Sequence, residues 1–280
     1  MCRSRGCGGE FQDATNHIVD IVLLTQCVSL IYDNNVNNVV GGTVPGKMNG
    51  AMSDAIYLDN NATTPCDPRV VEAMLPYFTE RAANPTSRSH RPGQEAASVL
   101  ETARATIDRA LGGSAASEVV FTGGATEANN LAIFGAAASR EGRGRHVVSQ
   151  KTEHESVLAP LAELARRGWE VDLVGVGADG RVRLDELSNS LRDDTVLVSI
   201  MLANNETGVI QPLHDVVRLA HARGIPVHTD AVQALGKIPL DVTALGIDLL
   251  SVSAHKIYGP KGIGALYIRK GIDLESLVAG

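Results

Sequence analysis

From residue 118 onward the chain alternates short apolar runs with amphipathic segments, and this alternation constrains the fold more than any other feature. The runs Glu118–Thr122, His146–Ser149, Glu170–Val174, Val196–Met201, Pro226–Thr229, Leu249–Ser253 and Gly264–Ile268 read as strands. Between them, Ala125–Ser139, Ser156–Arg167, Leu184–Leu191 and Leu213–Arg223 carry helical spacing. Two more helices precede the first strand, at Arg69–Glu80 and Gly93–Leu111; the second places Ala97, Leu100, Ala103, Ile107 and Leu111 on one face. Apolar strands joined through helices predict an α/β fold with a mostly parallel sheet covered by helices on both faces. In such sheets, ligands bind beyond the carboxyl ends of the strands.

Composition narrows the function. The 280 residues are 44% hydrophobic and 20% charged, enough for a large core. A net charge of −7 and an aromatic content of 4% argue against a nucleic-acid partner and a base-stacking platform. Cys2, Cys7, Cys27 and Cys66 form no CxxC pair and no metal-ligand spacing, and four cysteines in this length suggest no disulfide scaffold. A reducing, cytoplasmic setting is therefore expected. Ile18–Tyr32 is apolar but is interrupted by Asp20 and Gln26, so it does not read as a membrane span.

Five short motifs follow successive strands. Ser253-Ala254-His255-Lys256 ends a β-rich run before a Gly/Pro turn, where desolvation lowers an amine's pKa and favours Schiff-base chemistry. A lone lysine of this kind is usually a surface residue, and Lys261 is a competitor just past the turn. Phe121-Thr-Gly-Gly-Ala125-Thr126 runs from a strand into a helix start, a phosphate cradle or simply a tight turn with Thr126 as a cap. His228-Thr-Asp230-Ala-Val-Gln233 puts a carboxylate at a strand end, as partner for a protonated ring nitrogen or as a helix cap. Asn204-Asn205-Glu-Thr-Gly208 is a source of amide donors or an Asn/Gly turn. Thr152-Glu-His154 offers a ring that stacks or moves protons, or a satisfied turn histidine. Together these motifs supply an anion cradle, a stacking ring, amide donors, a ring-nitrogen partner and an amine, the set required by pyridoxal 5′-phosphate.

From Tyr57 to Gly271 the chain resembles the cysteine desulfurases, pyridoxal-phosphate enzymes of the class-V aminotransferase family that serve iron–sulfur cluster assembly. The matching stretches are Tyr57-Leu-Asp-Asn-Asn-Ala-Thr-Thr-Pro65, Asn84-Pro-Thr-Ser, Phe121-Thr-Gly-Gly-Ala-Thr-Glu, Thr152-Glu-His, Asn204-Asn-Glu-Thr-Gly, His228-Thr-Asp-Ala-Val-Gln and Ser253-Ala-His-Lys-Ile-Tyr-Gly-Pro-Lys-Gly. The resemblance implies the large domain of a fold-type-I pyridoxal-phosphate transferase. It implies Lys256 as the Schiff-base lysine, His154 stacked on the cofactor ring, and Asp230 on the pyridine nitrogen. Asn205 and Gln233 resemble residues near the ring hydroxyl and substrate. Ala125, Thr126, Ser253 and His255 resemble the phosphate binders, and Ala254 stands with them among the cofactor-binding positions. The implied reaction converts L-cysteine to L-alanine and passes sulfur as a persulfide to an iron–sulfur scaffold or another acceptor protein, in a homodimer. A selenocysteine lyase or related class-V enzyme, and a non-catalytic cofactor-binding fragment, are the alternatives.

Departures from the family pattern are Gly123-Gly124 where Ser-Gly or Ser-Cys is common, Ala254 where Gly is common, and the lack of any cysteine after Cys66. The family takes sulfur on a cysteine well downstream of the lysine, so the chain reads as a core without its acceptor. The expected organisation is an extension foreign to the fold at 1–51, spurious or a disordered tail, then a small-domain segment at 52–68. The cofactor-binding domain follows at 69–271, and 272–280 begins a carboxyl-terminal region. Because 1–51 shows no apolar period that would pack on a core, its deletion is expected to leave the fold intact. A melting temperature lowered by more than about 4–8 °C, the shift that ~1 kcal/mol produces in a small domain, contradicts this.

Overall fold

The computed structural model describes residues 56–115 and 118–279, so the expected extension at 1–51 lies outside the described residues. Helices α1 (Pro68–Phe78) and α2 (Arg91–Leu111) come first. The alternating elements follow as β1 (Val119–Thr122), α3 (Ala125–Arg140), β2 (His146–Gln150), α4 (Glu155–Arg166), β3 (Glu170–Val174), α5 (Leu184–Ser190), β4 (Thr195–Ser199), α6 (Leu213–His221), β5 (Val227–Asp230), α7 (Val242–Leu245), β6 (Leu249–Ser253) and β7 (Gly264–Ile268). The expected elements are all present, with ends displaced by a few residues. The short α7 and a 3₁₀ turn at Ala254–Lys256 carry no periodicity of their own and were not expected.

The seven strands form one sheet in the order β1-β7-β6-β5-β4-β2-β3. The pairs β2–β3, β2–β4, β4–β5 and β5–β6 are parallel. Strand β7 pairs antiparallel with both β1 and β6. It alone runs backwards, so β1, β2, β4, β5 and β6 deliver their carboxyl ends to one edge. Helices α3 and α4 pack their apolar stripes on one face, with Ile133, Leu161 and Leu164 against Val147, Leu197 and Leu249. Helices α2, α5, α6 and α7 cover the other, where Ile107, Leu187, Val216 and Val242 meet Val148, Val198, Val227 and Val252. A continuous apolar run in each strand is what burial on both faces requires.

Two backbone features position the edge. Gly124 holds φ at +149°, open to glycine alone, as the chain turns from β1 into α3. A Cβ on Gly264 would sit 2.6 Å from the Val252 carbonyl oxygen and 2.7 Å from the Gly124 carbonyl carbon. Only glycine lets the start of β7 lie against that turn.

The sheet interior also carries a polar line. His228 on β5 is fully buried, with Nδ1 2.8 Å from Ser199 Oγ on β4 and Nε2 3.0 Å from Ser251 Oγ on β6. Burial pushes the His228 imidazole down to about 3 from its ordinary 6.5. The folded state therefore keeps His228 neutral while the unfolded chain binds a proton below pH 6.5. Stability is expected to fall as pH drops from about 6.5 toward 3, at up to about 1.4 kcal/mol per pH unit from this group. Urea unfolding across that range checks this: His228→Gln should cost about 1–3 kcal/mol at pH 7 and flatten the slope.

Candidate active site at the carboxyl edge of the sheet

The turns after β1, β2, β4, β5 and β6 and the segment Asp59–Thr63 enclose a cleft of about 1220 Å³. Ala125, Thr126, His154, Asn205, Asp230, Gln233, Ser253, His255 and Lys256 all line it. Of the residues expected at the site, only Ala254 does not; it is fully buried, at the base of the 3₁₀ turn that carries Lys256. Its methyl group is accommodated there.

The Lys256 turn is tied to residues almost two hundred positions away. Thr64 donates to the His255 carbonyl from its backbone N–H at 2.8 Å and from its hydroxyl at 3.0 Å. The same hydroxyl accepts from the Tyr258 N–H at 2.8 Å, and the Asp67 N–H donates to the Tyr258 carbonyl at 2.9 Å. Tyr258 is the one described residue other than glycine with positive φ, +63°, a conformation disfavoured for a bulky side chain. The clasp holds it there. Lys256 Nζ donates to the carbonyls of Asn61 and Ala62 at 2.6 and 2.9 Å. Burial lowers the Lys256 ammonium below its ordinary range, and Asp230 and Asp59 partly oppose this. Lys261 also borders the cleft, beyond the Gly-Pro turn.

Asp230 is buried, at 5% exposure. Its Oδ1 accepts from the Val232 N–H at 3.0 Å and its Oδ2 from Asn129 Nδ2 at 2.8 Å. No helix follows Asp230: the Val232 N–H closes a turn on its carboxylate, and of the two readings weighed the structure places it as the cleft carboxylate. Burial raises the Asp230 carboxyl; the Val232 N–H, the Asn129 amide, His154 and Lys256 pull the other way. His154 combines both of its readings: it caps α4, accepting the Ser156 N–H at Nδ1 (3.1 Å), and lines the cleft. The two asparagines of the third motif divide the work. Asn204 builds the turn, its Oδ1 accepting from the N–H groups of Glu206 and Thr207 and its Nδ2 donating to the Thr152 carbonyl, while Asn205 lines the cleft. Gln233 Nε2 donates to the Asn61 carbonyl at 2.9 Å and its Oε1 accepts from Lys237 Nζ.

At the β1 end, α3 begins beside the cleft at Ala125 with no side-chain cap on its Gly124 N-cap. Sixteen residues of aligned peptide dipoles therefore present uncapped N–H groups toward the space shared by Thr126, Ser253 and His255.

Three site residues escape motif reading. Asn129 and Ser156 lie behind Asp230 and His154; the one usable signal was a polar Asn129 on the apolar face of α3. Glu153 is buried beside them, with Oε1 accepting the Met201 N–H at 2.7 Å and Oε2 without a hydrogen bond.

The class-V aminotransferase family model matches residues 56–277. The chain belongs to the class-V aminotransferase family. It is 50% identical over 219 residues to the cysteine desulfurase IscS of Anaeromyxobacter dehalogenans (strain 2CP-C), covering 78% of this chain and 54% of the relative. It is 53% identical over 227 residues to that of Neisseria meningitidis serogroup C (strain FAM18), covering 80% and 56%. Among solved structures, a NifS-like protein superposes with a TM-score of 0.77 at 44% identity, over 80% of this chain and 62% of that one. SspA in complex with cysteine superposes with the same TM-score at 39% identity, over 81% and 65%. The fold is that of the fold-type-I pyridoxal-phosphate enzymes. The chain spans about half the length of the curated relatives it matches.

Burial, and then the neighbouring Asp230, push the Glu153 carboxyl well above its ordinary 4.5. A raised folded pKa stabilises fully below the unfolded pKa and loses that contribution as pH rises above about 4.5. Glu153→Gln keeps a neutral acceptor for the Met201 N–H. The variant should therefore gain stability relative to the parent as pH rises from 5 to 8, read from urea midpoints at each pH.

Proposed function

We propose that this chain is the cofactor-binding core of a cysteine desulfurase that binds pyridoxal 5′-phosphate at Lys256. The observation that carries the reading is the meeting, in one cleft, of a half-buried amine, a buried carboxylate and an uncapped helix start. The donor set fits the cofactor. The start of α3, with Ala125, Thr126, Ser253 and His255, suits a phosphate dianion. Asp230, a buried carboxylate whose protein partners are neutral donors at both oxygens, suits a protonated ring nitrogen. His154 offers a ring face to the cleft, and Asn205 and Gln233 offer amides near a ring hydroxyl.

When bound, the cofactor supplies an aldehyde for the amine and a ring that withdraws electrons from the substrate. The remaining chemistry belongs to the protein. The lowered pKa of Lys256 increases its share of free amine, the form that attacks a carbonyl. The Asn61 and Ala62 carbonyls aim Nζ into the cleft and release it when it reacts. His154 holds or moves a proton at its cleft-facing nitrogen, and Asp230 stabilises positive charge on the ring nitrogen.

The proposed substrate is L-cysteine and the products are L-alanine and a persulfide on a cysteine of the full-length enzyme. Sulfur then passes to an iron–sulfur scaffold or another acceptor protein. Cys66 does not suit the acceptor's role: burial, and then Asp67, push its thiol up, away from the thiolate. The exposed apolar side chains of Val71, Leu75 and Phe78 on α1 support a reading in which a further domain or a second subunit covers that surface.

Borohydride treatment with pyridoxal phosphate, followed by peptide mapping, should place the pyridoxyl group on Lys256; labelling of Lys261 instead contradicts the assignment. In a chain extended to the length of its relatives, Lys256→Ala and Asp230→Asn should each lower alanine formation from L-cysteine by about 10²-fold or more. Cys66→Ser should leave it unchanged.

A further inference from the structure

Behind the cleft, four side chains form a single hydrogen-bonded line across β5, α3 and α4. Asn129 Nδ2 lies 2.8 Å from Asp230 Oδ2 and 2.8 Å from Ser156 Oγ. Ser156 Oγ lies 2.7 Å from His154 Nδ1. Asn129 is fully buried and Ser156 nearly so.

Donor counting gives this line a direction. The backbone N–H of Ser156 donates to His154 Nδ1 at 3.1 Å, and a peptide N–H cannot reverse. That bond favours an unprotonated Nδ1 and a protonated Nε2, and the shorter hydroxyl contact at 2.7 Å carries the larger share of the preference on the single Nδ1 lone pair. The Ser156 hydroxyl must then donate to Nδ1, which leaves its lone pairs to accept from Asn129. Both hydrogens of the Asn129 amide are in use, one on Ser156 and one on Asp230. This orientation leaves Asn129 Oδ1 buried with no partner. Such an arrangement needs a cause, and Asp230 provides it: both carboxylate oxygens already act as acceptors. An amide turned the other way would set its oxygen against them. It would also draw the Ser156 hydroxyl away from His154.

We propose that Asn129 and Ser156 are positioning residues that hold His154 as the Nε2–H tautomer and make that tautomer depend on the charge of Asp230. Only the use made of His154 rests on the proposed function; the hydrogen bonds stand without it. In that setting the group facing the ring nitrogen also decides which nitrogen of His154 presents a proton to the cleft. The line gives the two residues a shared state although they do not touch.

The test is ¹⁵N NMR of the full chain with labelled histidine, in which the two ring nitrogens of a single tautomer resonate far apart and those of exchanging tautomers draw together. His154 should show wide separation with Nδ1 unprotonated. Ser156→Ala should narrow it, and Ser156→Thr, which keeps a hydroxyl, should restore it, with melting curves confirming that each variant is folded. Asp230→Asn should also narrow the separation in the parent and cause no further change in Ser156→Ala, because the path then no longer exists. A proton on Nδ1 in the parent overturns the proposal, as does an unchanged pattern in Ser156→Ala. An equal Asp230→Asn effect in both backgrounds overturns the coupling, since it would then act through space. Mapping of the pyridoxyl group on the same samples separates the two ideas: loss of label from Lys256 with the His154 pattern intact rejects the proposed function and retains the line.

Discussion

The clasp between Asn61–Asp67 and His255–Tyr258 is the contact on which the site depends. It joins stretches nearly two hundred residues apart through four hydrogen bonds, three of which meet at the Thr64 hydroxyl or the His255 carbonyl and the fourth at the Tyr258 carbonyl. Without it the Lys256 turn would have no reason to keep Tyr258 at positive φ, and the amine would lose both carbonyls that direct it. Strain of this kind costs of order 1–3 kcal/mol and persists only where the surroundings over-determine it. Here the surroundings are two peptide N–H bonds, from Thr64 and Asp67, and the Thr64 hydroxyl that bridges His255 and Tyr258.

Behind the cleft the electrostatics follow from the same economy of donors. Asp230 and Glu153 are both buried carboxyl groups, and burial raises both. They differ in what they accept. Asp230 takes a peptide N–H and a side-chain amide, one on each oxygen, and faces Lys256 and His154 at longer range. Glu153 takes one peptide N–H, from Met201, with the Gln150 side chain beside its other oxygen. The hydrogen bonds oppose burial at Asp230, and Glu153 is the more strongly raised of the two.

Much of this was legible in the residues. Alternating apolar runs and helical spacings led to the right architecture because each strand is buried on both faces and each covering helix is amphipathic. Strand-end motifs led to the right edge of the sheet because the carboxyl ends converge there. What escaped reading has physical causes. The reversal of β7 leaves no trace in a run of apolar residues, whose pattern is the same in either direction. The roles of Asn129, Ser156 and Glu153 depend on distances across three elements, and the one local trace is a polar Asn129 on the apolar face of α3. The choice between turn residue and cleft residue at His154 could not be made because it was a false choice: the hydrogen bond that caps α4 also orients the ring.

The sheet order carries a consequence for synthesis. Among the described residues, strand β1 comes first but pairs with β7 alone, and β7 is the last described strand. While the chain is being made, β1 has no partner, Gly124 has nothing against it, and the Lys256 turn has not been translated. The earlier strands β2, β3 and β4 can pair as they appear, but the edge that holds the cleft closes only when Gly264–Ile268 slides between β1 and β6. A ribosome paused before that point would carry a half-sheet with open strand edges, the species most exposed to wrong pairing.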